Sequence, residues 1–268
     1  METTRLSPVL LALFVAASVA GCGGEPGTAA SPTPESGSAP PQQENARSVL
    51  AARAAAAEDR KVTAGYTLTE GDKAPRTVVA TSAADGSWRV DIAGGAMGGL
   101  ADVSVAVNAD GLFQCALPST TRPVAPACIR IADATGVLPK HIDPRVQHTF
   151  TDWREVLTDR QAPLSVSFAK AVEGAAGDCY AVESTYASLD APLDTGIYCY
   201  DANGVLTGAR LSFGTLVLTQ APSAGPATIS LPGPVVTGPA LGMATPAPQT
   251  AKPKSTTPSA GTASGAAE

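Results

Sequence analysis

The chain has 268 residues, a formal net charge of −6 and only 4% aromatic residues. An acidic balance with no cluster of Lys and Arg excludes a nucleic-acid surface, which needs cations gathered on one face to neutralise phosphates. Sparse aromatics likewise leave no platform on which bases or sugars stack.

From the N-terminus, a single basic residue, Arg5, partly offset by Glu2, precedes the apolar run Val9-Leu10-Leu11-Ala12-Leu13-Phe14-Val15. The run is too short to span a bilayer, which takes about 20 apolar residues, and it suits the roughly 7–15 of a signal peptide. At its end Val19-Ala20-Gly21-Cys22 resembles a bacterial lipobox, in which small residues let a signal peptidase cut before a cysteine that receives lipid. Residues 1–21 then form a lipoprotein signal peptide. Cys22 becomes the lipidated first residue of the mature chain, carrying palmitate-like acyl groups at the extracytoplasmic face of the cell membrane. Two or three acyl chains anchor stably, whereas one does not. The alternative is an ordinary secretory signal with an incidental cysteine.

Residues 22–44 are mostly Gly, Pro, Ser, Thr and Ala, with scattered Glu. Such a stretch buries too little apolar surface to offset its ordering entropy and reads as a disordered tether. Residues 234–268, rich in Pro, Ala and Thr, read as a disordered tail for the same reason. Between them lie roughly 190 residues, 45–233, enough for one domain with a sizeable core.

This domain opens with an Ala-rich stretch from Glu44 to Lys61 that predicts a helix, since Ala is the best helix former. The hydrophobic period then changes to two. Val62, Ala64, Tyr66 and Leu68 alternate with Thr63, Thr67 and Thr69, Arg76 to Thr81 follows, and Trp88, Val90 and Ile92 alternate with Arg89 and Asp91. Asp85-Gly86 marks a hairpin between the second and third runs. The glycines from Gly94 to Gly99 read as a loose loop. Val103, Val105 and Val107 form a further strand, and Asp110-Gly111 turns it into Leu112 to Leu117. A Pro-rich loop from Pro118 to Ala127 leads to the short strand Ile129 to Ile131. His141 to Arg160 predicts a second helix, on which Phe150, Trp153, Val156 and Leu157 share a face while Asp152 and Glu155 suit a capping pair. Strands resume with Leu164, Val166 and Phe168, then Tyr180 to Tyr186, Ile197 to Tyr200, and Val205 to Phe213 with Leu216 to Leu218 continuing beyond. The pattern predicts an α+β single domain: an antiparallel sheet of about ten strands, apolar on one face, covered by two or so helices.

With Cys22 set aside, Cys115, Cys128, Cys179 and Cys199 remain. An exported chain meets an oxidising setting, and pairing Cys115 with Cys128 and Cys179 with Cys199 joins strands adjacent in sequence. No CxxC spacing points to zinc or redox chemistry. The two histidines, His141 and His148, lie near Asp143 but without the motif of a hydrolase, metalloprotease or phosphate loop. Surface or capping roles fit them better. Asp190 and Asp194 sit in a turn-rich loop, where solvation is the default. These residues predict no catalysis, no cofactor and no metal.

A lipobox, a tether, an N-terminal helix, a long meander and a mid-chain helix appear in that order. With them come Trp88-Arg89-Val90-Asp91 and Ala101-Asp102-Val103 in the first half of the sheet. Ile197-Tyr198-Cys199-Tyr200 and Leu206-Thr207-Gly208-Ala209-Arg210 follow in the second. This layout resembles the LolA-like half-barrel lipoproteins of the LppX/LprG type from about Asn45 to Leu231, by order of elements rather than by a signature motif. The resemblance implies a curved sheet cupping an apolar cavity, lidded by helices, that holds lipid acyl chains. It brings no catalytic motif, and the two internal cysteine pairs are an addition to it.

A broad apolar sheet face under two slight helices points the same way, because large uncovered apolar surfaces mark binding sites. The lipid-lining candidates are Tyr66, Leu68, Trp88, Val90, Val103, Val105, Val166, Phe168 and Phe213, with Trp153 from the lid. The function expected is binding and carriage of a lipid or lipoglycan from a membrane anchor. The alternative is a non-catalytic envelope module that engages another protein, such as a sensor partner, through its sheet edge or loops.

Overall fold

Eleven strands form one open, curved antiparallel sheet in a computed structural model that describes residues 45–120, 122–185 and 191–246. The signal peptide, Cys22, the tether, Tyr186, Asp190 and the tail beyond residue 246 lie outside the described residues. The strands are β1 Val62–Thr69, β2 Arg76–Ser82, β3 Trp88–Ala96, β4 Ala101–Asn108, β5 Gly111–Ala116 and β6 Ala127–Ala132. Then come β7 Leu164–Ala169, β8 Asp178–Ser184, β9 Gly196–Tyr200, β10 Leu206–Leu211 and β11 Gly214–Ala224. Their spatial order is β6-β5-β4-β3-β2-β1-β11-β10-β9-β8-β7. Two meanders therefore meet along one seam, where Tyr66 faces Leu218 and Leu68 faces Leu216.

The strand count exceeds the expected ten because Leu216 to Leu218 does not continue the preceding strand. The chain reverses at Ser212-Phe213, and Leu211 pairs with Gly214. Gly214 makes that reversal possible: its φ is +144°, and a Cβ there would meet the Thr69 carbonyl oxygen at 2.6 Å.

Period-two alternation sends one set of side chains to the concave face. Tyr66, Leu68, Val78, Val90, Ile92, Val103, Tyr180, Tyr198 and Leu216 all fall on it and share one buried cluster. Helix α1, Ala46–Asp59, lies over them, with Leu50, Ala54 and Ala57 buried against the sheet. Small alanines let its backbone come close. Asn45 caps it by accepting a hydrogen bond from the Arg47 amide at 2.9 Å. The second helical region is shorter than the periodicity predicts. It comprises two 3-10 turns, Lys140–Ile142 and Val146–Phe150, and one brief helix, α2, Asp152–Thr158. Pro144 between the two turns fixes φ and lacks an amide donor, which prevents one continuous helix. Phe150, Trp153 and Leu157 still face the core as the spacing requires. Asp152 and Glu155 do not form a capping pair: the N-cap residue Thr151 makes no side-chain cap bond, and Asp152 turns to His148 instead.

On the convex face the disulfides join Cys115 to Cys128 and Cys179 to Cys199, each pair directly opposite across neighbouring strands, as the sequence order predicts. Two further stretches depart from their compositional reading. Residues 234–246 do not behave as a free tail: Cys128 donates to the Pro234 carbonyl, and Val236 donates back to Cys128. Further on, the Met97 and Gly98 amides donate to Gly242 and Met243. That pinning also orders the Gly94–Gly99 stretch, which is no loose loop: β3 runs on to Ala96, and a 3-10 turn covers Met97–Gly99. Low-complexity composition counts apolar side chains, whereas these contacts are made by backbone.

Candidate functional site

The lid of α1, the Val146–Phe150 turn and α2 fills the centre of the concave face but stops short of the tips of β3, β4 and β5. Trp88 pairs with Val107 and Val107 with Leu112, so these three side chains form one apolar row across the three strands. Above that row opens a cleft of about 630 Å³. One wall is the segment Ala134 to Leu138. The other is the end of α1, with Glu58 and Lys61, together with Gln147, His148, Thr151, Asp152, Arg154 and Glu155. Leu138 is buried against Val105, Leu112 and Ile142, whereas Val137 beside it is 82% exposed. The cleft thus has an apolar floor and a charged rim, a distribution common to sites that take apolar ligands.

His148 braces the rim. Its Nδ1 lies 2.7 Å from Asp152 and its Nε2 lies 3.0 Å from Asp143, while its ring stacks on Trp153 at 5.4 Å between centroids. Burial works against its charge, but hydrogen bonds to both carboxylates and their negative charges win, raising its pKa to about 9. Burial would raise both carboxyls in turn, yet the imidazolium beside them holds Asp143 and Asp152 below the usual range. With both ring nitrogens engaged, His148 is an ionic brace rather than a general base. His141 lends its backbone carbonyl to Met243. Asp194 accepts from the Ser212 amide and hydroxyl and faces Arg145 at 3.3 Å. Among the described residues, no group of three or more His, Cys, Asp or Glu is placed to hold a metal ion.

Behind the rim, Arg154 donates from Nη1 to the Ala57 carbonyl at 3.0 Å, tying α2 to α1. It also borders a second, much smaller cavity of about 40 Å³, walled by Tyr66, Ala80, Thr149, Phe150, Tyr200 and Leu206 among others. Burial and the nearby Tyr200 phenol raise the Tyr66 pKa, and burial raises that of Tyr200, so both hydroxyls stay protonated.

The chain matches no protein-family model and no curated protein. Its site must therefore be read from its own geometry.

That geometry sorts the ten lining candidates. Trp88 lies on the cleft floor and Tyr66 on the wall of the small cavity. Leu68, Val90, Val103 and Val105 are buried, at 2% exposure or less, in the packing between sheet and cover. Trp153 is buried between His148 and Phe213, and Val166 packs partly buried on the same core. Phe213 borders a separate surface depression with Thr69, Lys140 and Arg145. Phe168 is 53% exposed and leans on Tyr180. The sequence reading missed Val107, Leu112, Val137 and Arg154 as site residues. Val107 and Leu112 continue the parity of Val103 and Val105 through the Asp110-Gly111 turn, a signal that was present in the sequence. Arg154 stands four residues after Phe150 and three before Leu157, a charge on an apolar helical face.

Proposed function

We propose that the chain is a membrane-anchored extracytoplasmic lipoprotein that binds an acyl lipid or lipoglycan and carries or shields it without chemistry. The cleft over Trp88, Val107 and Leu112 is the observation that supports this reading. It has the volume of a small-molecule site and lies between sheet and helices, where the half-barrel lipoproteins that the layout resembles hold acyl chains. The headgroup then sits at the charged rim, and Cys22 supplies the anchor.

The test uses the full chain carrying Cys22→Ala, purified without detergent and extracted with organic solvent for mass spectrometry. A stoichiometric lipid absent from a control protein is the expected result, together with uptake of a fluorescent fatty acid. Val137→Asp places a charge in the cleft at a solvent-facing position and is expected to weaken that uptake at least tenfold while leaving the melting temperature unchanged. A clean extract with no uptake overturns the carrier reading.

A second reading draws on the cleft being open to solvent and on the exposed Val137 and Phe168. These suit an envelope protein partner that docks on the cleft or along β7. Uptake unaffected by Val137→Asp, with a partner lost by the same substitution, favours this alternative.

A further inference from the structure

The small cavity beside Arg154 has a chemistry that the fold does not use. Three of its side-chain atoms have no hydrogen-bond partner: the Tyr200 hydroxyl, Thr149 Oγ1 and Arg154 Nε. Tyr200 is 0% exposed and Thr149 is 1% exposed, so water outside the protein does not serve them. Buried polar atoms are normally paired, and each exception calls for an explanation. All three unpartnered groups are able to donate.

A carboxylate answers all of them at once, because it is acceptor-only and offers about four lone-pair sites on two oxygens. A guanidinium and a carboxylate also make the stronger, charge-assisted kind of hydrogen bond. The volume of about 40 Å³ holds such a group and excludes a sugar or a phosphodiester headgroup. Apart from Arg60, Ser82 and Tyr66 the remaining wall is apolar, including Ala80, Phe150 and Leu206, which suits a ligand whose polarity ends with that one group. Arg154 lines both this cavity and the large cleft, so it is the side chain that a group held here and a chain lying in the cleft would share. Glu58, on the cleft side, has a buried Oε1 without a hydrogen-bond partner, and it and Glu155 are carboxyls that compete for Arg154 by charge.

We propose that Arg154, Tyr200 and Thr149 form a socket for a carboxylate group, supplied either by a fatty acid whose chain lies in the cleft or by a small free acid. In its fatty-acid form the proposal rests on the carrier reading.

The experiment measures binding of decanoate, methyl decanoate and acetate to the full chain carrying Cys22→Ala, alone and with Tyr200→Phe or Arg154→Met. Tyr200→Phe deletes a single unpartnered hydroxyl and leaves the ring in place, so folding survives even where Arg154→Met does not. The expected result is decanoate binding at least tenfold tighter than its methyl ester. Tyr200→Phe then cuts that preference at least threefold without changing ester affinity, and Arg154→Met abolishes it. Acid and ester binding equally, both indifferent to Tyr200→Phe, overturns the socket and leaves the carrier reading standing. Acetate binding that depends on Tyr200, with no decanoate binding, keeps the socket for a small acid and sinks the carrier reading. No response to any of the three means that the cavity holds water alone, about three molecules by its volume, and the socket falls.

Discussion

His148 shows how a single side chain can set the pH range of a domain. Its folded pKa of about 9 lies above the ordinary histidine value. The brace is therefore fully present below about pH 6.5 and is lost as pH rises through about 9. Asp143 and Asp152 are held low, so their share is present above the normal carboxyl range and lost as acid protonates them. We expect His148→Gln to cost about 2 kcal/mol near pH 6 and much less near pH 10, read by urea unfolding at the two pH values. Equal costs at both would show that the ring contributes packing on Trp153 rather than charge. Tyr200→Phe should act in the opposite direction on the empty protein, since it removes an unpaired buried hydroxyl worth about 1–3 kcal/mol. A raised melting temperature is expected. At this scale the sequence shows parity but not partners. It places Tyr198 and Tyr200 on one face, yet whether a phenol finds an acceptor depends on Asp194, whose carbonyl serves Tyr198 alone at 2.6 Å.

Elements held by side chains were easier to foresee than elements held by backbone. Period-two alternation located the strands except for the separate β11, because burial of one face leaves its imprint residue by residue. The C-terminal segment leaves no such imprint. Its anchor is Gln114, 2% exposed, whose amide nitrogen donates to Ile142 and Leu241 and whose oxygen accepts from the Leu241 amide at 2.6 Å. A glutamine at an inward-facing strand position, between Leu112 and Ala116, is the one hint in the sequence that a backbone must come to it. Ending the chain after Gly233 should strand that amide and release the Met97–Gly99 turn. We expect a loss of about 1–3 kcal/mol, with faster amide exchange at Met97 and Gly98. An unchanged melting temperature would refute the anchoring role. The same blindness made the second helix look long: the apolar spacing is genuine, but Pro144 and the positive φ of Arg145, 66°, divide it.

At the scale of the molecule, the two meanders are tied by the β1–β11 seam and by the cover of α1 and α2, whereas each disulfide lies within one meander. Reduction should thus loosen each half independently. Each bond is worth about 3 kcal/mol by loop entropy, and the losses from the double substitutions Cys115→Ala/Cys128→Ala and Cys179→Ala/Cys199→Ala should add when combined, as measured by thermal unfolding. Strong non-additivity would mean that the halves unfold as one unit from the outside in. The cover of α1 and α2 stops short of the β3–β5 tips, and that gap is the cleft. Neither that gap nor the small cavity beside Arg154 was visible in the sequence, because both depend on where a segment with two prolines bends.

The two borders of the open sheet are treated differently. Along β6 the chain lays its own Pro234 to Val236 against Cys128, with a parallel bridge from Cys128 to Val235. Along β7, Arg47 takes the Leu164 carbonyl, while Ser165, Ser167 and Phe168 face solvent. Runaway stacking of sheets needs two sticky borders on every copy, one to receive and one to offer. Here the β6 border is already occupied at Cys128, so two copies that zip together along β7 present a partly blocked border to a third. Growth beyond a pair is disfavoured. At high local concentration, that asymmetry favours a dimer over a fibre.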